Sequence, residues 1–212
     1  MKRLLPVFLY SFLFTGATFS QQTCATHIIE NQMRSADPEL DKRIAAYDSL
    51  IIGQGQFQSG RAEKRIIPVV FHIIHDNGPE NITNAQVHDA VRLMNAGFNA
   101  QNEEISSIVS AFTNRIGVGD IEFRLATIDE FGNPTNGIDR YESTETYIGD
   151  DGSKKNYWGP NSQKSNYYLN IWITDAIFIS GAAAYAYRPG NAPSPGVDGI
   201  ISNHRYVGSI GT

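Results

Sequence analysis

Residues 65–76 have the sequence RIIPVVFHIIHD, and this stretch decides the fold. From Ile66 to Ile74 nearly every side chain is apolar, and most are β-branched. An apolar run of this length, without polar alternation, is typical of a strand that is buried on both faces. Pro68 is compatible with this interpretation because it lies near the beginning of the run. We therefore expect a buried strand here.

The stretch NITNAQVHDAVRLMNAGFNA (81–100) predicts a helix behind that strand. Thr83 fits the N-cap and Gln86 completes a capping box, while Ile82 and Val87 are placed for a hydrophobic staple. One apolar face at helical spacing is formed by Val87, Val91, Met94 and Phe98. We expect this helix to lie across a sheet.

Four further stretches predict extended structure. DIEFRLATID (120–129) alternates apolar and polar residues, and NYYLNIWITDA (166–176) places Trp172 opposite its isoleucines. GAAAYAYRPG (181–190) is rich in small residues, and VDGIIS (197–202) suits a short strand. One strand, then a helix, then further strands predict an α/β fold with a twisted sheet and one helix behind it.

The N-terminus resembles an export signal. Lys2 and Arg3 precede the apolar run from Leu4 to Phe14, and small residues follow up to Ser20. A membrane anchor is the alternative, but a span needs roughly 20 apolar residues. We expect a signal peptide over 1–20, cleavage after Ser20, a secreted or extracytoplasmic protein and no membrane span after signal removal.

Residues 21–64 differ from the rest of the chain. DPELDKRIAAYDSLI (37–51) predicts a short helix with Asp37 as N-cap and Pro38 at the first position. GQGQFQSGRAEKR (53–65) suits equally a plain linker or a site for a trypsin-like protease. Cys24, the only cysteine, is incidental, intermolecular or a deliberate free thiol.

Charge and motifs exclude several function classes. The net charge of -5 and the pI near 5.5 do not favour nucleic acid as a partner. The chain has no Gly-rich phosphate loop and no G-x-S-x-G elbow. His72 and His75 should point to opposite faces of a strand, His88 should lie on the surface, and His204 has no visible partner. The residues alone predict an exported domain without a complete catalytic constellation.

Seven short stretches, taken in order, resemble the pappalysin family of secreted zinc metalloproteases, which are metzincins. They are IPVVFHII (67–74), NAGF (95–98), IEFRLAT (121–127), DEFGNPTNGI (129–138), YLNIWI (168–173), GAAAYAYRPG (181–190) and DGIIS (198–202). The resemblance implies a zincin-like N-terminal subdomain over 66–212, with a twisted mixed sheet, a backing helix and no active-site helix. It also implies that 21–65 is a pro-segment with its linker.

The family hydrolyses peptide bonds with a zinc-activated water held by H-E-x-x-H-x-x-G-x-x-H. No His-Glu pair occurs in these 212 residues. The resemblance therefore implies a zinc metalloendopeptidase whose zinc ligands lie beyond residue 212, with no catalytic residue in this chain and no activity of the chain alone. Calcium is a second cation that the family allows. The alternatives are a non-catalytic exported binding domain of the same fold and one half of a split protein.

Two site assignments follow from the resemblance. Cys24, in TCATH, is similar to a Cys-Gly-Thr pattern of pro-segments in which a thiolate binds the zinc and keeps the enzyme latent, although Ala25 replaces the glycine. The second assignment is a sheet edge that pairs with an extended peptide or protein substrate, the alternative being a plain edge strand. Its residues would be Ala182, Ala183, Ala184, Tyr185, Ala186 and Tyr187.

Overall fold

The computed structural model describes residues 23–54, 64–157 and 167–210. The proposed signal peptide and most of the 53–65 linker lie outside these residues. Along the described chain the elements are β1 Thr23–Cys24, α1 Thr26–Ala36, α2 Leu40–Gln54, β2 Arg65–His75, α3 Asn84–Phe98, β3 Ile121–Leu125, β4 Ile138–Glu142, α4 Asp151–Asn156, β5 Leu169–Thr174, β6 Ala182–Ala186 and β7 Ile200–Asn203.

The strands form one mixed sheet in the order β1-β6-β7-β5-β2-β3, with β4 also paired to β2. β2 runs parallel to β5 on one edge, with Val69 opposite Leu169. On its other edge β3 pairs with the first half of β2 and β4 with the second half. Only β6, among the described strands, runs antiparallel to its neighbour β7. The expected α/β fold with a twisted mixed sheet is confirmed.

β2 supplies the core on both faces of the sheet, as its apolar run predicts. Val69, Phe71 and Ile73 point to the face covered by α3, where they pack with Val87 and residues of β3 and β5. Ile74 belongs to a second cluster on the other face, together with Trp172 of β5. From Val69 to His75 the side chains of β2 are buried, and both edges of the strand are paired, which fixes it in the middle of the domain.

The beginning of α3 confirms half of the predicted capping box. Thr83 is the N-cap, and its hydroxyl oxygen accepts the backbone N–H of Gln86 at 3.2 Å. The side chain of Gln86 does not return to the cap, so that part of the prediction is wrong. It donates to the carbonyl of Val207 at 2.9 Å. Gln86 therefore ties α3 to the segment that follows β7, a tertiary bond that local spacing does not reveal.

Asp89, one turn further along α3, holds the same segment. Its carboxylate accepts the backbone N–H of Ser209 at 2.6 Å and the Ser209 hydroxyl at 2.8 Å. Arg92 also donates to it. These hydrogen bonds, with that from the Ser209 backbone first, lower the pKa of Asp89 from 3.8 to about 2. The path of the chain after β7 is therefore fixed against α3.

The helix predicted over 37–51 is α2, but it begins at Leu40 and not at Pro38. Asp37 accepts the N–H of Glu39 just before the helix. Several other elements were not predicted by the sequence. β1, α1, β4 and α4 are absent from the predictions. The apolar–polar alternation along β4 is weak. α4 is a six-residue polar helix held by a capping box between Asp150 and Ser153. Such short polar elements carry little hydrophobic periodicity.

Within the described ranges, no helix has both the length and the apolar character required to cross a bilayer.

Gly149 is predicted to be essential for the turn before α4. Its φ is +54°, and an added Cβ would lie 2.0 Å from the carbonyl oxygen of Ala176. We expect Gly149→Ala to lower the free energy of unfolding by about 2–4 kcal/mol, because backbone strain and a backbone clash combine. Gly132→Ala is the control, since Gly132 also has positive φ but no described atom within 4 Å of an added Cβ. Equal urea midpoints for the two variants would contradict this account.

Asp89 should make the fold sensitive to acid. Because its folded pKa lies below the unfolded value, its stabilising contribution is present above about pH 4 and is lost as the pH falls towards 2. We expect Asp89→Asn to lower the urea midpoint of unfolding at pH 6. The variant should also show a smaller difference between its urea midpoints at pH 6 and pH 3 than the unmodified protein. Asp48→Asn, an equal charge change on the exposed face of α2, should leave that difference as in the unmodified protein.

Candidate functional site

The candidate site is the outer edge of β6, where the body of the sheet ends. β6 pairs with β7 on its inner side, and its outer side is occupied by β1 from the N-terminal segment. The β1 pairing is parallel, with Thr23 opposite Ala182 and Cys24 opposite Ala184. The chain therefore places one of its own extended segments on the edge that the sequence predicted to bind a peptide.

Backbone groups at this edge are paired with the N-terminal segment. The N–H of Ala25 donates to the carbonyl of Ala184 at 2.8 Å. The N–H of Ala186 donates to the hydroxyl oxygen of Thr26 at 3.1 Å. The alanines of β6 have no bulky side chains to block such an approach. The strand ends at Ala186, one residue before Tyr187, so the predicted range is longer by one residue.

Cys24 lies on this edge with its side chain exposed to solvent. Its sulfur is 3.3 Å from the Thr26 hydroxyl oxygen. Ala25, which stands where the resemblance expects glycine, has φ of -94° and needs no glycine at that position. The thiol is thus free and accessible beside the backbone of β6, as a ligand for an external metal would have to be.

Helix α1 anchors the N-terminal segment. Ala25 and Ile29 are buried in the cluster around Trp172, on the face of the sheet opposite α3, and Met33 packs against it. Glu30 forms an ion pair with Arg188, just after β6. The strand β1 contributes only two residues, whereas α1 contributes the apolar contacts. The apolar face of α1, and not the short strand, therefore holds the segment in place.

The histidines do not gather into a site. His72 is fully buried, with its Nε2 3.2 Å from Asn170 Oδ1 and its ring against Trp172. His88 is exposed, as predicted. His204 does have a partner, contrary to the sequence-based view: it is buried 3.4 Å from Asp175. Burial is the first cause that lowers its pKa. The partner lies at the end of β5, so sequence separation concealed it.

Metal ligands are not assembled in the described part of the chain. No group of three or more His, Cys, Asp or Glu side chains there could hold a metal ion. The described residues therefore do not fit a catalytic zinc, which needs three protein ligands. Cys24 alone could donate one ligand to a zinc held by other residues.

The fold is that of a metalloprotease of the metzincin type. The particular structures that it resembles are those of mirolysin. A point mutant of promirolysin from Tannerella forsythia is 27% identical, with a TM-score of 0.73, and the match covers 89% of this chain and 61% of that one. Mature Tannerella forsythia mirolysin in complex with a cleaved peptide is 28% identical, with a TM-score of 0.60 and coverage of 70% and 56%.

A third structure, mirolysin in complex with compound 9, is also 28% identical, with a TM-score of 0.62 and coverage of 70% and 56%. No protein-family model matches the chain, and no curated protein matches it. The chain spans about 60% of the length of these mirolysin structures. The metalloprotease fold is thereby established, whereas the pappalysin assignment stays a prediction.

Ile29 is predicted to be the main anchor of the N-terminal segment. We expect Ile29→Ala to weaken the docking of α1 by about 2–5 kcal/mol, because a buried side chain is truncated. Trypsin should then cut after Arg34 faster than in the unmodified protein, as followed by mass spectrometry. Asn31→Ala, on the exposed side of the same helix, should leave that rate unchanged. Equal rates for all three proteins would mean that Ile29 is not the anchor.

Proposed function

We propose that this chain belongs to a secreted zinc-dependent metalloendopeptidase that cleaves peptide bonds of protein substrates, and that its N-terminal segment keeps the enzyme latent. The observation that carries the proposal is the occupied edge of β6. A short segment around Cys24 lies there, anchored by α1. The structures that the fold resembles are those of a metalloprotease, mirolysin, which supports the reaction class.

The two forms of mirolysin support the division of the chain. The match to promirolysin covers 89% of the 212 residues and the match to the mature form covers 70%, a difference of about 40 residues. The segment from β1 to the beginning of β2 has about this length. We therefore assign 21–65 as the pro-segment with its linker, 66–212 as the N-terminal part of the peptidase domain, and 1–20 as the signal peptide that directs secretion.

β6 is proposed as the strand that binds substrate. A peptide added to a sheet edge gains main-chain hydrogen bonds, while alternate side chains enter pockets. Mature mirolysin has been solved with a cleaved peptide, which supports a peptide as the substrate class. In the latent protein β1 occupies the same backbone groups of Ala184 and its neighbours. Substrate and pro-segment would then compete for one edge.

The zinc itself is assigned to no set of described residues, because they do not fit it. No hydrolytic step is therefore assigned to this chain. Cys24 is proposed as the residue that supplies a thiolate to the zinc in the latent state, since thiolates bind Zn²⁺ at about 2.3 Å. Displacing the segment would remove the thiolate and free the edge at the same time.

The test uses the protein as its natural host produces and secretes it. Casein cleavage is measured before and after the N-terminal segment is removed, with and without a zinc chelator. We expect the unmodified protein to be latent and Cys24→Ala to be active before processing, because the inhibitory ligand is lost. Asn31→Ala is the control on the same segment and should stay latent.

The outcomes separate the two parts of the proposal. Chelator-sensitive cleavage by processed protein supports the peptidase. If Cys24→Ala is as latent as the unmodified protein while both become active after processing, the thiolate role fails and the peptidase stands. If neither protein cleaves casein after processing, the peptidase proposal is overturned.

A further inference from the structure

Behind β6 lies a lysine that is closed off from water. Lys154 is on α4, and its side chain has no solvent exposure. Its Nζ donates to the carbonyl of Val197 at 3.1 Å and is 3.6 Å from a carboxylate oxygen of Asp151. A buried cation is costly unless its surroundings compensate for the lost hydration, so its contacts need an explanation.

Three aromatic rings surround the same ammonium group. Nζ is 4.3 Å from the ring centroid of Tyr185, 5.0 Å from that of Tyr187 and 5.9 Å from that of Trp172. Aromatic faces within about 6 Å attract a cation, most strongly where water is excluded. Lys154 thus contacts β5, β6 and the Val197 carbonyl with one charged group. Two of its three ring contacts are to Tyr185 of β6 and to Tyr187, which follows the strand.

Asp151 fixes the same two tyrosines from their other ends. The hydroxyl of Tyr185 donates to one oxygen of the Asp151 carboxylate at 2.9 Å, and the hydroxyl of Tyr187 donates to the other oxygen. Lys154 faces this carboxylate in turn. The two rings are therefore held by their faces and by their hydroxyls, which leaves the tyrosines little freedom to turn away from α4.

These tyrosines are also the surface on which α1 rests. Ile29 and Met33 of α1 belong to the same apolar cluster as Tyr185 and Tyr187. A pocket of about 250 Å³ beside this contact is lined by the same four residues and by Asp151. Since α1 anchors the segment at the β6 edge, the positions of the two tyrosines affect how β1 or another extended segment can pair with that edge.

We propose that Lys154 is a positioning residue for β6: it holds Tyr185 and Tyr187 so that the edge strand presents its backbone to an extended segment, whether β1 or a substrate. The inference rests on the proposed function only in taking β6 as the peptide-binding edge. Conformational specificity, and not global stability, is then the reason for the buried charge.

The charge state of Lys154 gives the proposal a pH dependence. Burial, the largest effect, lowers its pKa from 10.5 to about 8, against the opposing attraction of Asp151 and Asp198. The other titratable groups facing it in the described chain are the hydroxyls of Tyr185 and Tyr187, whose pKa values burial raises. Above about pH 8 the amine is neutral and its attraction to the rings is lost. Because the folded pKa lies below the unfolded one, global stability gains from this group between pH 8 and 10.5.

The experiment measures backbone hydrogen exchange at the edge and in the core of the whole chain. The amides of Ala25 and Ala186 report the edge, and the amide of Phe71, bonded to the Gly137 carbonyl at 2.9 Å, reports the core. Lys154→Met removes the charge and keeps an unbranched apolar side chain. Lys155→Met is the matched control, because Lys155 is exposed on the same helix.

We expect Lys154→Met to keep a cooperative thermal transition with an equal or higher Tm. The hydrogen-exchange protection of the Ala25 and Ala186 amides should fall about tenfold relative to that of the Phe71 amide, which corresponds to the loss of one buried cation–π contact. Lys155→Met should change neither quantity. The proposal is overturned if Lys154→Met folds with unchanged edge protection. It is also overturned if edge and core protection fall together, because that result describes a purely structural residue.

The unmodified protein provides a second measurement that does not depend on the folding of a variant. Protection of Ala186 relative to Phe71, corrected for intrinsic exchange, should fall about tenfold between pH 7 and pH 9.5. A constant ratio across that range would overturn the proposal. Exchange at the edge and casein cleavage are separate readouts, so failure of this inference and failure of the proposed peptidase are distinguishable.

Discussion

The double pairing of β2 is the constraint on which the rest of the structure depends. Its backbone bonds to β5 on one edge and to β3 and β4 in turn on the other. Its side chains enter both cores, so no part of the strand faces water along its second half. A strand in that position needs a covered sheet, which α3 provides on one face and α1 with the Trp172 cluster provides on the other. On one side the body of the sheet ends at β6, and the two-residue strand β1 covers its outer edge.

An unpaired sheet edge can cause aggregation and can also bind a peptide, and both have the same physical cause. Free backbone groups attract any extended chain, which aggregates proteins and also lets them bind peptides. Here the N-terminal segment covers the edge with a two-residue strand and anchors it through α1. Because β1 contributes only two residues, the segment depends on the apolar contacts of α1. Loss of those contacts would release β1 from β6, as the proposed latency requires. Lys154 and Asp151 hold the other side of the same strand through the two tyrosines.

Local patterns predicted those elements whose apolar side chains follow a period. The strands at Phe71, Phe123 and Trp172 and the helix capped by Thr83 are in this group. β4 and α4 escaped, because their residues are mostly polar and their positions depend on β2 and on the capping box at Asp150. For the candidate site, family resemblance selected Cys24 and the strand from Ala182. That the two lie side by side, and that Lys154 lies behind them, could not be predicted, because those contacts join residues far apart in sequence.

The sequence by itself determined the α/β class, the buried strand and the helix behind it, because hydrophobic periodicity acts locally and survives any arrangement of the elements. It also determined that these residues contain no His-Glu pair. The tertiary structure alone decided the order of the strands, the partner of His204, the use of Gln86 and Asp89 against the segment after β7, and the covering of β6 by β1. Each of these joins residues that are distant in sequence, and it depends on the packing that first brings the partners together.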